Sequence, residues 1–438
     1  MCNKFLLILV ASFVVFNGHS QDLLTKEEAV QLALKKNFNI EIATNAIRIA
    51  EGNASRDNLG YKPTVNVTAG ANYNLDNSKA VFQDGREVSL NFAASNNANA
   101  GVGLNYVLFD GFNRQFNFER NLQSVTASQL NARLALENVL LQLFQAYYEI
   151  ARLETDYQNL VEILSISKER LERAKVSFTY GTVTSLDVSN AEVDVNTDSI
   201  AILNQRQFLT NARNNLEFIL NTDLPTGFAV EQAVEFAPVI SKSAFKDELK
   251  TANATLLLTD SDIRLSDIDI RLTTTTKLPT VSFSGTYGFN RVQNNPASFL
   301  DRANSNGFTG GVNVNWAVID GGRRRVQEQN AKINQLNQQL NLDLTYQQVV
   351  RDFENAWSDY KNRLIVWRAL EQNVVTSRLN FERSEEKYRL RQITNIEFRQ
   401  AQSNLLNALT AQNRAKYDAK LSELQVYSIA GKIQDAVY

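Results

Sequence analysis

Cysteine, methionine and histidine occur once each in the 438 residues, as Cys2, Met1 and His19. All three precede residue 21. The first twenty residues carry Lys4, an apolar run from Phe5 to Phe16, and the small residues Gly18 and Ser20 before Gln21. A basic start, a short apolar segment and a small-residue cleavage site make up a secretory signal. An apolar run of about twelve residues is too short to anchor the chain, since a span needs roughly twenty. Cys2 lies ahead of that run, so it does not read as a lipid-attachment cysteine. Removal of residues 1–20 is expected, which leaves a mature chain without Cys, Met or His. Disulfides, thiolate nucleophiles, imidazole bases and Cys/His metal sites are excluded together. Carboxylate sites stay open.

Proline is nearly as scarce, with only Pro63, Pro225, Pro238, Pro279 and Pro296. That scarcity favours long uninterrupted helices. A net charge of -2 gives no basic footprint for a nucleic-acid partner. Beyond the signal no apolar run is long enough for a transmembrane helix. A membrane location would have to come from a β-barrel.

What the chain does have is duplication. YVLFDGFNR from Tyr106 returns as WAVIDGGRR from Trp316, 210 residues on. At the same offset Tyr147 falls on Trp357, Phe178 on Tyr388, and GTVTSLDV from Gly181 on RQITNIEF from Arg391. YKPTVNVTAGANYN from Tyr61 matches KLPTVSFSGTYGFN from Lys277 at an offset of 216. The six-residue difference falls between paired strands, where a loop varies freely. A chain of two repeats is expected, residues 21–230 and 231–438.

Each repeat has the same order of elements. LTKEEAVQLALKKNFNI from Leu24 carries Thr25 and Glu28 in capping-box spacing, with a helical apolar face. Its counterpart, Phe245 to about Arg271, is weaker, with polar interruptions from Thr259 to Ser261. Two alternating strands follow in each half: Val65 to Leu75 and Val102 to Leu108, then Val281 to Phe289 and Val312 to Val318. Nine to eleven alternating residues suit a tilted membrane strand or, equally, a soluble strand pair with one core face. The polar stretches Asn77–Asn99 and Arg291–Asn306 read as loops, although Val88, Leu90 and Phe92 could lengthen a strand.

From Arg114 to about Thr179, and from Arg323 to Arg391, there is neither proline nor glycine. At about 1.5 Å per residue each run would reach on the order of 100 Å. Each is followed by a shorter helix, about Ser185 to Leu220 and Asn395 to Gly431. Such lengths call for coiled coils or a bundle wall. Their faces are heavy in Asn and Gln, which suits either a solvated surface or the lining of an aqueous passage. At the joints, Gly111 and Gly321 accept unusual backbone angles, while Asp110 and Asp320 can cap the first helical amides.

Four strands cannot close a barrel alone, because barrels of this kind start at about eight. Copies must share it, and three copies would give twelve strands and an open lumen. The rival reading is a non-conducting periplasmic coiled-coil scaffold or adhesion stalk with its strands in a soluble domain.

Those motifs together resemble the TolC family of bacterial outer-membrane efflux proteins. The resemblance rests on LTKEEAVQLALKKNFNI, the KPTV/LPTV strand entries, the LFDG/VIDG turns and YGTVTSLDVSNAEVDV from Tyr180. It implies an α+β membrane protein: a trimeric twelve-stranded barrel in the outer membrane, a long periplasmic α-helical barrel, and an equatorial region holding the Leu24 and Phe245 helices. It implies an efflux or secretion channel with a periplasmic adaptor (membrane fusion) protein and a proton-driven or ATP-driven inner-membrane pump as partners. The adaptor contacts would be Gly181, Thr182, Val183, Leu186, Gln392 and Ile393. The closed entrance would map to Glu397, Gln400, Arg391 and Arg399, and only Glu397 of the two acidic-ring positions is acidic here. The carboxylates Asp260, Asp262, Asp267 and Asp269 read as solvated faces or caps. No pair presents a general acid and base with binding residues around it, so no catalytic site, cofactor or metal is assigned.

Overall fold

The protein is described by a computed structural model covering residues 23–237, 241–296 and 298–436; the expected signal, residues 1–20, lies outside the described residues. In chain order the first half holds β1 (Leu23–Leu24), α1 (Lys26–Lys36), α2 (Phe38–Asn53), β2 (Thr64–Val81), β3 (Glu87–Phe109), α3 (Asn113–Thr179) and α4 (Ser185–Leu220). The second holds β4 (Ala229–Val230), α5 (Lys242–Ala252), α6 (Ala254–Thr275), β5 (Thr280–Gln293), β6 (Arg302–Asn315), α7 (Arg323–Arg389) and α8 (Asn395–Ile429). Both α3 and α7 are unbroken helices of 67 residues. The chain divides into two compact units, and each draws on both halves of the sequence.

One unit comprises Glu41–Ala135 and Lys246–Asp352. Its centre is a four-stranded antiparallel sheet in the order β2-β3-β5-β6. The outer strands β2 and β6 each have a partner on one side only among the described residues. Here the expected loops are corrected. Most of Asn77–Asn99 and half of Arg291–Asn306 is strand, because ladder hydrogen bonds come from the backbone and tolerate Asn, Ser and Asp on open faces. β2 and β3 turn at Asp84-Gly85, where Gly85 takes φ 83° and Phe82 N–H donates to Arg86 O at 2.9 Å. Strand β6 is corrected in the other direction: it ends at Asn315, so Trp316 and Val318 lie beyond it. The interruption expected at Thr259–Ser261 is also absent. Helix α6 runs through it, Thr259 Oγ1 donating back to Thr255 O at 2.9 Å and Ser261 Oγ accepting from Gln123 at 2.8 Å.

The joints between strands and long helices are built twice. Asp110 Oδ2 accepts from the Arg114 amide at 2.9 Å and from its Nε at 3.0 Å. Asp320 Oδ2 does the same for Arg324, at 2.9 and 3.0 Å. Gly111 and Gly321 sit at φ 67° and 69°, in the left-handed region that side chains resist. Each aspartate thereby satisfies an otherwise orphaned amide at a helix start.

The other unit comprises residues up to Ile40 with Leu136–Phe245 and Phe353 onward. Its core gathers Phe144, Tyr147 and Tyr148 of α3, Leu216 and Leu220 of α4, Val30 of α1 and Tyr417 and Leu424 of α8. Strands β1 and β4 pair in parallel, Leu24 beside Val230. The buried Tyr147 hydroxyl stitches them, donating to Leu24 O at 2.8 Å and accepting from Glu231 N–H at 3.0 Å. Helix α1 starts at the capping box that its sequence spells, Thr25 and Glu28 bonding each other's amides at 3.1 and 3.2 Å.

Candidate functional site

The two helical hairpins turn with the same backbone. Helix α3 ends with Gly181 at φ 70°, Thr182 N–H donating to Ser177 O at 2.9 Å. Helix α7 ends with Arg391 at φ 58°, Gln392 N–H donating to Lys387 O at 2.8 Å. Both are left-handed helix stops with the bond from the sixth residue to the first. Half two makes the turn without glycine. Helices α4 and α8 then begin with duplicated capping boxes, Thr184 with Asp187 and Thr394 with Glu397.

Both tips lie together. Arg391 Nη2 donates to Thr182 Oγ1 at 3.2 Å, and a cleft of about 590 Å³ opens between them, lined by Arg173, Thr182, Asp187, Tyr388, Arg391 and Asn395 among others. Tyr388 stacks on buried Phe398 with centroids 4.9 Å apart. Ile393 packs against the cluster of Phe381, Phe398 and Leu405 and is half-buried. Thr182, Gln392 and Leu186 are exposed, Val183 half-buried.

Glu397 faces its own helix start. Its Oε2 accepts from the Thr394 amide at 2.7 Å and the Thr394 hydroxyl at 2.9 Å. The amide first, then the hydroxyl, holds its carboxyl below the usual range. Gln400 is exposed and donates to Asn404 at 2.8 Å.

Arg399 turns away from that surface. It meets Asp198 of α4 through Nη2 at 2.7 Å and Nη1 at 2.9 Å, and Asp194 through Nε at 3.4 Å. Ser167 of α3 donates to Asp198 at 2.6 Å, and Gln402 donates to Ser167 and to Ile163 O, each at 3.1 Å. Arg170, 2 % exposed, pairs with Asp194. Burial pushes its guanidinium pKa down. A polar cluster thus ties α8 to both helices of the first hairpin.

Sequence reading missed this cluster, whose contacts join residues 24 to 239 apart. It also missed Tyr180, Leu390 and Ile396, which are strongly exposed at the tips beside Leu186. Their signal was available, because Tyr180 and Leu390, like Leu186 and Ile396, stand 210 residues apart. Exposed large apolar groups among polar ones mark contact surfaces.

Among the described residues no helix is long and apolar enough to cross a membrane, and no group of His, Cys, Asp and Glu is placed to hold a metal ion. A duplicated chain that combines a four-stranded antiparallel sheet with two 67-residue helices defines the class of outer-membrane channels built from strands and long helices. The model of the family "Outer membrane efflux protein" matches residues 29–222 and 247–432, and the chain belongs to that family.

The chain is 22 % identical to the outer membrane efflux protein BepC of Brucella suis over 426 residues, covering 97 % of this chain and 89 % of that one. With the outer membrane protein TolC of Vibrio cholerae it shares 23 % identity over 381 residues, 85 % of this chain and 83 % of the other. Its fold resembles the Campylobacter jejuni CmeC outer membrane channel, with a TM-score of 0.74 at 17 % identity over 93 % and 86 % of the two chains. It is an outer-membrane efflux protein with its helical part in the periplasm, and its family is one of transport channels. The scaffold or stalk reading is not favoured.

Proposed function

We propose that three copies close a twelve-stranded barrel in the outer membrane, and that the long helices continue the passage through the periplasm toward an adaptor and an inner-membrane pump. The observation that carries this is a four-stranded sheet whose two outer edges are unpaired among the described residues, with exposed apolar residues, Val65, Val67 and Leu75 on β2 and Val312 and Val314 on β6. Such edges cannot stand in hydrocarbon, so the ring must close on itself. The two repeats, residues 21–230 and 231–438, alternate around that ring. Transport here is passage, with no catalytic step.

In this reading the hairpin tips meet the adaptor through Gly181, Thr182, Val183, Leu186 and Gln392, joined by exposed Tyr180, Leu390 and Ile396. Ile393 supports the tip from within. Arg391 and Gln400 face the entrance, with Glu397 fixing the start of α8 beside it. Arg399 acts by holding α8 against the first hairpin. The purified trimer in a planar bilayer is expected to show unitary conductance. A folded trimer that never conducts under any opening condition sinks the channel reading. Retention in the outer membrane after urea or carbonate washing is expected too, since only an integral barrel resists both.

A further inference from the structure

The two strand-to-helix joints share a backbone but not their charges. Three consecutive arginines, Arg323 to Arg325, open α7, and its first turn holds no acid. That end of a helix disfavours positive charge. The joint itself uses only the middle arginine, whose amide and guanidinium both meet Asp320. Arg325 is exposed and makes no ion pair among the described residues.

Three and seven positions further on, on the same face of α7, stand Glu328 and Lys332. Glu328 is shared. Lys277, just ahead of β5, reaches one of its oxygens at 2.8 Å, and Lys332 reaches the other at 2.9 Å. These two hydrogen bonds hold the carboxyl down at about 2, so it stays charged and occupied. Both lysines are more than half exposed. Asp320 is taken by Arg324, and Asp267 meets Arg271 at 3.6 Å. Three cations thus lie on this face with one carboxylate among them. Trp316 joins them: its indole N–H donates to Lys277 O at 3.2 Å, while the residue stays 56 % exposed.

The first half has nothing like it. The positions that correspond to Lys277, Arg325, Glu328 and Lys332 are Tyr61, Gln115, Phe118 and Leu122. The fold of the joint does not need these charges, because half one makes the same Asp–Arg turn without them.

We propose that this cluster binds the headgroup of an anionic phospholipid in the periplasmic leaflet of the outer membrane, at the half-two joint only. The proposal rests on the barrel reading above. With the strands in the membrane and the helical part in the periplasm, the β6–α7 joint stands at the periplasmic surface of the bilayer. Tryptophan suits that boundary, its ring among the upper acyl chains and its N–H satisfied on the polar side. Lys277, Arg325 and Lys332 then lie in the headgroup layer, where a phosphodiester supplies the acceptors that one glutamate cannot. A zwitterionic headgroup carries its own cation and leaves the positive surplus unanswered. An anionic one does not.

The full chain with W357F and W367F, which keeps Trp316 as its only tryptophan, provides the test. It is reconstituted in phosphatidylcholine vesicles holding a small fraction of either phosphatidylglycerol or phosphatidylcholine brominated high on the acyl chains, and quenching of Trp316 is read. Brominated phosphatidylglycerol is expected to quench at a concentration lower by on the order of fivefold. High salt should shrink that preference. K277Y/R325Q/K332L, which installs the first half's residues, is expected to abolish it. R325Q, which leaves the Glu328 hydrogen bonds alone, is expected to reduce it and serves should the triple variant fail to insert. Equal quenching by the two lipids in the parent overturns the proposal, and so does a preference that survives these substitutions. A preference lost to inorganic phosphate but not to sodium chloride of equal ionic strength would assign the site to free phosphate and overturn the lipid. If neither lipid quenches, Trp316 is not at a bilayer, and the barrel reading falls together with the site.

Discussion

Arg399 in α8 grips Asp198 in α4 with both terminal nitrogens, at 2.7 and 2.9 Å, and so binds the second hairpin to the first. The carboxylate is almost fully buried and the guanidinium about three-quarters buried. Removing one partner from a fully buried pair costs about 3–5 kcal/mol, because the other is left uncompensated. Here Ser167 still serves Asp198 and water reaches Arg399, so R399A is expected to cost about 2 kcal/mol. It is also expected to raise resting conductance. D198A and the double variant complete the cycle. Additive effects in urea unfolding would remove the latch. R399K is expected to restore little, because an ammonium cannot reproduce the two-pronged contact.

The tip of the second hairpin is expected to loosen in acid. The Thr394 amide and hydroxyl hold the Glu397 carboxyl below the usual carboxylate range. A carboxyl whose folded pKa is depressed stabilises the fold above its unfolded pKa, and the contribution is lost as pH falls through the folded one. Amide exchange at the first turn of α8, corrected for intrinsic rates, is expected to quicken as pH falls below the usual carboxylate range. E397Q should flatten that dependence. T394A, which removes the cap itself, should cost about 1 kcal/mol at any pH. An E397Q tip whose exchange follows the parent's pH profile would assign the acid response to another group.

Gly111 and Gly321 share a backbone angle but differ in what surrounds them. A left-handed alanine costs roughly 1–2 kcal/mol at either position. At Gly111 the new Cβ also collides with Thr275 O, so G111A is expected to damage the chain's own fold. At Gly321 a new Cβ would meet nothing within 4 Å, so G321A is expected to cost only that backbone strain. Thermal unfolding of both variants makes the comparison. Equal damage to the two would contradict it.

Topology across the membrane is open to labelling. On the C2S background, Q83C in the β2–β3 turn and N295C between β5 and β6 are expected to react with an impermeant maleimide on intact cells. S185C, at the start of α4, is expected to stay unlabelled. The opposite pattern would reverse the orientation.

Much of this was legible along the chain because it is local. Helices α3 and α7 follow from the absence of proline and glycine between the Asp-Gly turns and the tips, and the 210-residue repeat carries each cap to its twin. The Thr25–Glu28 box needs four residues and nothing else. Strand ends were less legible, because Asn77 to Asn99 alternates poorly while its backbone still finds a ladder. Side-chain alternation reports which face is covered; hydrogen-bonding partners decide where a strand stops. Trp316 to Ile319 show the converse, with the right alternation and no partner strand among the described residues.

Only the tertiary structure decided where Arg399, Ile393 and Glu397 point. Periodicity gives the side of a helix, not what lies beyond it, and Asp198 stands 201 residues from the arginine it holds. Arg391 adopts at the second tip the backbone that Gly181 adopts at the first. Residue preference alone would not place it there, because the strain is local while the packing and hydrogen bonds that hold the turn come from both hairpins.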